Sequence, residues 1–170
     1  MKPDTGVDAV LQPLEDNPFQ ALLSDQFQIA DILEWVLIQF GPSDILQSSF
    51  SIAEEYIRKI ISLKEENLIS SIVLLLDYKA TNKTIDLWHF MGAVFDSTFL
   101  SQNHSKLLLV KSSSGRKAAI ITSQNMTRGY RNECYFISES AAIYDRLRVQ
   151  FEDVIGNNSI VLNELLSGNS

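Results

Sequence analysis

Cysteine is all but missing from this chain. Of 170 residues only Cys134 is one, so no intrachain disulfide and no cysteine-based metal cluster can be built. The two histidines, His89 and His104, lie far apart in sequence and make no metal-ligand spacing. Glycine is scarce, and neither a Gly-rich phosphate loop nor a Gly-x-Ser-x-Gly elbow occurs. No uninterrupted apolar run approaches the roughly 18 residues of a membrane-spanning helix. The N-terminal segment MKPDTGVDAVLQPLEDNP also has no apolar core of signal-peptide type. These absences set the expectation of a cytoplasmic protein without a membrane span, a resident metal or another cofactor. No internal repeat is visible.

What is present is an ordinary globular composition, 45% hydrophobic and 21% charged, in a length suited to one domain with a real core. The net charge of −7 argues against indiscriminate coating of nucleic acid. Its distribution is uneven. From Ser97 to Asn132 stand Lys106, Lys111, Arg116, Lys117, Arg128 and Arg131, with no acidic residue among them. Arg116 and Lys117 read equally well as solvated hairpin-tip charges, whereas Lys106, Arg128 and Arg131 are placed to meet an anionic substrate.

The pattern along the chain predicts alternating helices and strands. Residues 1 to about 24, with three prolines and little periodicity, read as a flexible arm preceding a folded domain from 25 to 170. From Gln26, apolar residues at three- and four-residue steps predict a helix that Gly41-Pro42 stops. Being apolar around much of its circumference, it should be deeply buried or at a subunit contact. Asp44 to Phe50 reads as a strand. Ser51 with Glu54 suggests a capping box for a helix to about Glu66. The run Ser70 to Tyr78 is a central strand covered on both faces, with Asp77 near its end in a turn or cap role. Thr81 to Phe95 is expected to be helical, and its His89 to be a packed or surface residue. A strand at Ser97 to Leu100 precedes a hairpin of Leu107 to Val110 and Ala118 to Ile121 around the polar turn Ser112 to Gly115. Cys134 to Ser138 forms another strand, with Cys134 as a small buried residue. Glu139 to Asp153 is an amphipathic helix, and the tail is a short helix. The whole predicts an α/β chain with a mixed sheet and helices on both faces, an α/β/α sandwich.

The stretch His104 to Glu133 carries the chemistry. On a strand, residues two apart share a face, so His104 and Lys106 point one way, as do Ser123 and Asn125. If the hairpin forms, the four converge on a small polar pocket suited to a phosphodiester. Lysine, asparagine and serine donate to non-bridging oxygens while a neutral histidine attacks phosphorus. A carboxylate on the far ring nitrogen fixes the tautomer, and no metal is needed.

The runs His-Ser-Lys, Ser-Gln-Asn and Asn-Glu resemble the HKD motif of the phospholipase D superfamily, H-x-K-x4-D followed by G-S-x-N, over residues 104 to 133. Lys111 stands where that pattern has aspartate and Thr122 where it has glycine. The resemblance implies a phospholipase D-like fold with catalytic His104, Lys106, Asn125 and Glu133 and with Ser123 in the phosphate pocket; Arg128 and Arg131 join the substrate-binding residues on the strength of the basic strip alone. The resemblance further implies one active site built from two motifs, so a chain with a single copy must form a homodimer that sets two His104 imidazoles around one phosphorus. The activity implied is that of a metal-independent phosphodiesterase, a nuclease on DNA or RNA working through a phosphohistidine. Two other readings stay open: a non-catalytic dimeric module binding phosphate or nucleic acid, and a phosphodiesterase acting on phospholipid.

Overall fold

The computed structural model describes residues 6–80, 86–162 and 164. Its strands are β1 (Phe19–Ser24), β2 (Ser43–Ser49), β3 (Ile69–Asp77), β4 (Ser97–Ser101), β5 (Leu107–Ser112), β6 (Lys117–Thr122), β7 (Glu133–Ser138) and β8 (Ile160–Val161). Among the described residues the α-helices are α1 (Ile29–Phe40), α2 (Glu54–Glu65), α3 (Trp88–Val94) and α4 (Ala141–Asn158). All strands join one mixed sheet in the order β1-β7-β6-β5-β2-β3-β4-β8. β2, β3 and β4 are parallel neighbours, while β5 lies antiparallel to β2 and begins an antiparallel half through β6, β7 and β1.

Alternation along the strands divides the core in two. Leu108 and Val110 of β5, Ile120 of β6 and Ile137 of β7 join the large cluster with α1, α2 and α3. Leu109 and Ala119 point to the opposite face, where Tyr144, Ile143 and Leu147 of α4 cover them. Helices on both faces thus follow from a period of two in the strands. Burying one Leu, Ile or Val side chain contributes about 1.5–3 kcal/mol, so the larger face carries most of the stability. α4 covers its face only in part. Leu23, Ile121 and Phe136, on β1, β6 and β7, stay exposed on the same side of the sheet.

The N-terminal segment differs from the expected arm. Phe19–Ser24 is an edge strand, paired antiparallel with β7 from Phe19↔Ser138 to Ser24↔Glu133. Ahead of it, Val7, Leu11 and Leu14 are buried in the main core, and Asp8 accepts the Trp35 indole N–H at 2.8 Å. The Leu14 amide donates to Gln39 Oε1 at 2.8 Å. This segment covers the outer side of α1, which explains why a helix buried from Ile29 to Phe40 is apolar nearly all round.

Helix ends also depart from the pattern. α1 has a reciprocal cap between Gln28 and Asp31, the Gln28 amide donating to Asp31 Oδ2 at 2.8 Å. Gly41 closes it at φ 72°, a left-handed conformation that suits glycine. α2 starts at Glu54 after Ala53, and Ser51 does not cap it. The reason is tertiary: Ile52 bridges to Met126 and the Ala53 amide donates to the Met126 carbonyl at 2.9 Å, which holds the chain extended past Ser51. The expected helix from Thr81 is seen only as α3, since 81–85 lie outside the described residues. α4 runs through Gly156 to Asn158, Ile160–Val161 pairs with β4, and in the tail expected to be helical Leu162 and Glu164 are helical among the described residues.

Candidate active site

Parallel β2 and β3 end where antiparallel β5 begins, and the turn-around places the end of β6 and the start of β7 at the same rim. β2 contributes Ser48 and Ser49 with Phe50 just beyond, β3 ends at Asp77, and the segment entering β5 carries His104 and Lys106. Clefts outside strand carboxyl ends at such a change of direction are the usual location of sites in open α/β sheets.

The segment before β5 is tied down from below. Asp77 accepts the Lys79 amide at 2.7 Å and the Asn103 amide at 2.8 Å, the local cap expected of it, extended to a second segment. Asn103 is buried, its Nδ2 donates to the Ser49 carbonyl at 3.1 Å, and its Oδ1 accepts the Ser105 hydroxyl at 2.6 Å. Ser105 also lies 2.7 Å from the Ser48 hydroxyl. His104 is therefore held between two anchored neighbours while its own ring is exposed, 5.6 Å from the Phe50 ring. Sequence reasoning missed Asn103, Ser105 and Phe50. The only sequence signal was a polar Asn beside His-x-Lys.

His104 and Lys106 precede the first residue of β5, so strand alternation does not orient them. Lys106 folds back instead. Its Nζ donates to the His104 carbonyl at 2.8 Å and lies 3.2 Å from His104 Nδ1. An ammonium can only donate, so in this arrangement Nδ1 accepts and a neutral ring carries its proton on Nε2. Burial draws the Lys106 pKa below the ordinary lysine value, and the Glu133 charge opposes that shift.

Ser123 and Asn125 likewise lie beyond the end of β6 and turn to different neighbours. Asn125 Oδ1 accepts the Phe50 amide at 3.2 Å and the Ser49 hydroxyl at 3.3 Å, which leaves the Nδ2 end of the amide as the donor for an anion. Ser123 donates to Glu133 Oε2 in a short hydrogen bond and accepts the Cys134 amide at 3.0 Å. In this state its proton is committed to Glu133. The carboxylate expected on the histidine ring therefore holds the serine, and acts on Lys106 through its charge. Arg128 and Arg131 are exposed on the following loop. Gln124 anchors that loop by accepting the Ile29 amide at 2.5 Å and donating to Gln28 Oε1 at 2.8 Å.

The two departures from the motif sit differently. Lys111 pairs across the sheet with Asp44 and Lys117, five residues up β5 from Lys106, or about 17 Å at strand rise. Its side chain has no part in the rim. Thr122 donates its amide to the Lys106 carbonyl at 3.1 Å, and its hydroxyl accepts the Gln124 amide at 3.0 Å. Its φ is negative, since Asn67 is the one non-glycine residue with positive φ among those described. No glycine is needed there, and the hydroxyl closes a turn that glycine would leave open.

Other candidates resolve into structure. Arg116 is bidentate to Glu139 at 2.8 and 2.7 Å and stacks 4.3 Å over Phe40, and Lys117 pairs with Asp145 at 2.7 Å. His89 is exposed on α3 against Trp88. Cys134 is exposed on the outer face of β7, not buried as expected, because Tyr135 takes the inward position. No group of three or more His, Cys, Asp and Glu among the described residues is arranged to hold a metal.

A mixed sandwich with a cationic, amide-bearing rim at the strand ends is an α/β architecture suited to binding an oxyanion. The particular fold is phospholipase D-like. Nuc from Salmonella typhimurium, a phospholipase D family member, superposes with a TM-score of 0.61 at 11% identity, covering 84% of this chain and 96% of Nuc. NucT from Helicobacter pylori gives 0.58 at 11% identity, over 82% of this chain and 98% of NucT. TrmBL2, an archaeal chromatin protein with a novel mode of DNA binding, gives 0.56 at 8% identity, over 89% of this chain but 57% of TrmBL2. No family model matches the sequence, and neither does any curated protein. Among the described residues no helix is long and apolar enough to cross a membrane.

Proposed function

We propose that the protein is a metal-independent phosphodiesterase acting on nucleic acid, with His104 as nucleophile at a site completed by a second copy of the chain. The observation that carries this reading is the gathering of His104, Lys106, Asn125 and Glu133 at one rim, each held by named partners rather than by chance exposure. An arriving phosphodiester draws the Lys106 ammonium off His104 Nδ1 and accepts from the Asn125 amide. It also takes the Ser123 hydroxyl, which frees Glu133. Exchange through water then moves the imidazole proton from Nε2 to Nδ1, where Glu133 receives its hydrogen bond, and the Nε2 lone pair attacks phosphorus. A P–N bond forms as the P–O bond to the leaving group breaks. The His104 of the second copy protonates that leaving oxygen, then removes a proton from the water that hydrolyses the phosphohistidine. The products are an alcohol and a phosphate monoester. One neutral and one protonated imidazole can share these roles, and such help is worth about 10²–10⁴-fold.

A single imidazole cannot be both nucleophile and acid, which is the reason for the dimer. The exposed sheet face at Leu23, Ile121 and Phe136 borders Ser123 and is the surface a second copy would cover. The exposed Arg128 and Arg131 favour a polyanion over lipid as substrate. Nicking of plasmid DNA or degradation of RNA in EDTA by the parent, lost in His104→Ala with the fold retained, is the expected result. An active protein that sediments strictly as a monomer refutes the shared site. The resemblance to TrmBL2, described as DNA-binding, favours a second reading in which the rim binds phosphate without turnover. In that case nucleic acid binding persists in His104→Ala and no phosphohistidine can be trapped in the parent.

A further inference from the structure

Tyr130 is 77% exposed, more than any other large apolar side chain among the described residues. It is not on a loose loop. Gln28 clamps the intervening Gly129 on both sides, its Nε2 donating to the Gly129 carbonyl at 2.9 Å and its Oε1 accepting the Gly129 amide at 3.3 Å. The base of the loop is fixed as well, since the Met126 amide donates to Ser49 Oγ at 3.0 Å and the Met126 carbonyl accepts from Ala53. Arg128 lies 5.6 Å over the Tyr130 ring, within cation–π range, and holds one face of it. An aromatic ring placed in water on a doubly clamped loop and backed by a guanidinium contributes nothing to the core. It has the form of a platform for a flat, electron-rich ring.

From these contacts we infer that Tyr130 and Arg128 stack a nucleobase of a single-stranded nucleic acid whose neighbouring phosphodiester lies at His104. The inference rests on the phosphodiesterase reading for its location and extends it to the form of the substrate. Asn125 and Tyr130 are five residues apart, a chain length reaching at most about 18 Å, so the platform serves a nucleotide close to the scissile one. The adjoining cleft of about 340 Å³ argues for a base rather than a second phosphate. It is lined by Asp31 and Glu55, and its Lys59 is already paired with Glu34 at 2.8 Å. Carboxylates repel a phosphate but accept hydrogen bonds from base amino and imino groups. A duplex keeps its bases stacked on one another and has none to offer, so the platform selects single strands.

The test uses full-length His104→Ala protein, to prevent turnover, with and without Tyr130→Ala. Binding of a fluorescein-labelled oligothymidylate is followed by anisotropy. Stacking is worth enough per base that the Tyr130→Ala protein should bind roughly 5- to 150-fold more weakly. Tyr130→Phe should bind like the parent, and an abasic oligomer of equal length should bind both proteins alike. A 2-aminopurine base in the oligomer should be quenched by the Tyr130 protein and not by Tyr130→Ala. Equal oligothymidylate affinity with and without the ring, or no binding by either protein, overturns the inference. An equal loss on the abasic oligomer also overturns it, because the ring would then act through the backbone. These outcomes are separate from cleavage in EDTA by the parent, whose absence refutes the phosphodiesterase reading and leaves the stacking result standing.

Discussion

Asp77→Ala should unfasten His104 without touching it. The Asp77 carboxylate is buried and accepts two backbone amides, from Lys79 at 2.7 Å and from Asn103 at 2.8 Å. Hydrogen bonds to a charged group contribute roughly 1.5–3 kcal/mol each, and a buried amide left without a partner costs about 1–3 kcal/mol. Relaxation of the segment and entry of water will recover part of that loss, so the expected destabilisation is about 2–4 kcal/mol. For a domain of this size that corresponds to a fall in Tm of roughly 5–15 °C. Asp77→Asn keeps one acceptor oxygen and should cost about half as much. The assay is urea unfolding at constant m-value, with hydrogen exchange at the Asn103 amide read in the same variants. Exchange there should rise well above the change at core amides such as Ile120, because the segment can open locally. An unfolding free energy within about 0.5 kcal/mol of the parent, which is surface-mutation behaviour, together with unchanged Asn103 protection, would refute the reasoning.

Lys106→Met should abolish activity while narrowing its stability difference from the parent as pH rises. The folded pKa of Lys106 is lowered, so its charge opposes folding at neutral pH and ceases to do so as it deprotonates; urea midpoints at about pH 7 and about pH 9.5 read the sign. Lys111→Asp should restore the motif's pattern without raising activity, because it places like charges opposite each other at Asp44 and costs roughly 0.2–1 kcal/mol; a gain in turnover would contradict its placement. Arg116→Lys removes the bidentate contact to Glu139 and the stack on Phe40, and should cost about 1–2 kcal/mol with activity unchanged. Asp8→Ala strands the Trp35 indole N–H and should lower stability by about 1 kcal/mol, measured by thermal unfolding.

Elements whose order is local were legible in the sequence. The β5–β6 hairpin, the stop at Gly41 and the central strand β3 follow from period, turn residues and continuous apolar content. The start of α2 was not legible, because Met126, more than seventy residues away in sequence, overrides the Ser51 signal. The N-terminal segment and α1 were misread for one shared reason. A helix apolar all round calls for a second cover, and that cover was the proline-bearing stretch with Val7, Leu11 and Leu14 at irregular spacing. At the rim, residue types were readable and their pairings were not. His104 and Lys106 were expected to project side by side, yet both precede β5 and fold together. Ser123 and Glu133 were assigned separate tasks and instead bond to each other. Asp77 was read as a local cap, and its second contact at Asn103 required knowing that β3 and β4 end together.

The sheet order has a consequence for biosynthesis. Everything at the rim depends on β5 slotting between β2 and β6, yet β2 has left the ribosome some sixty residues before β5 does. Up to then β2 and β3 can pair and bury their apolar side under α1 and α2, but the flank that will receive β5 is an open, unsatisfied edge. Hydrolytic competence should therefore emerge last and all at once during synthesis. Fragments cut anywhere between β2 and β7 should be inert, while complementary halves that re-form the β2–β5 seam should regain it, which would make turnover a faithful report of complete assembly.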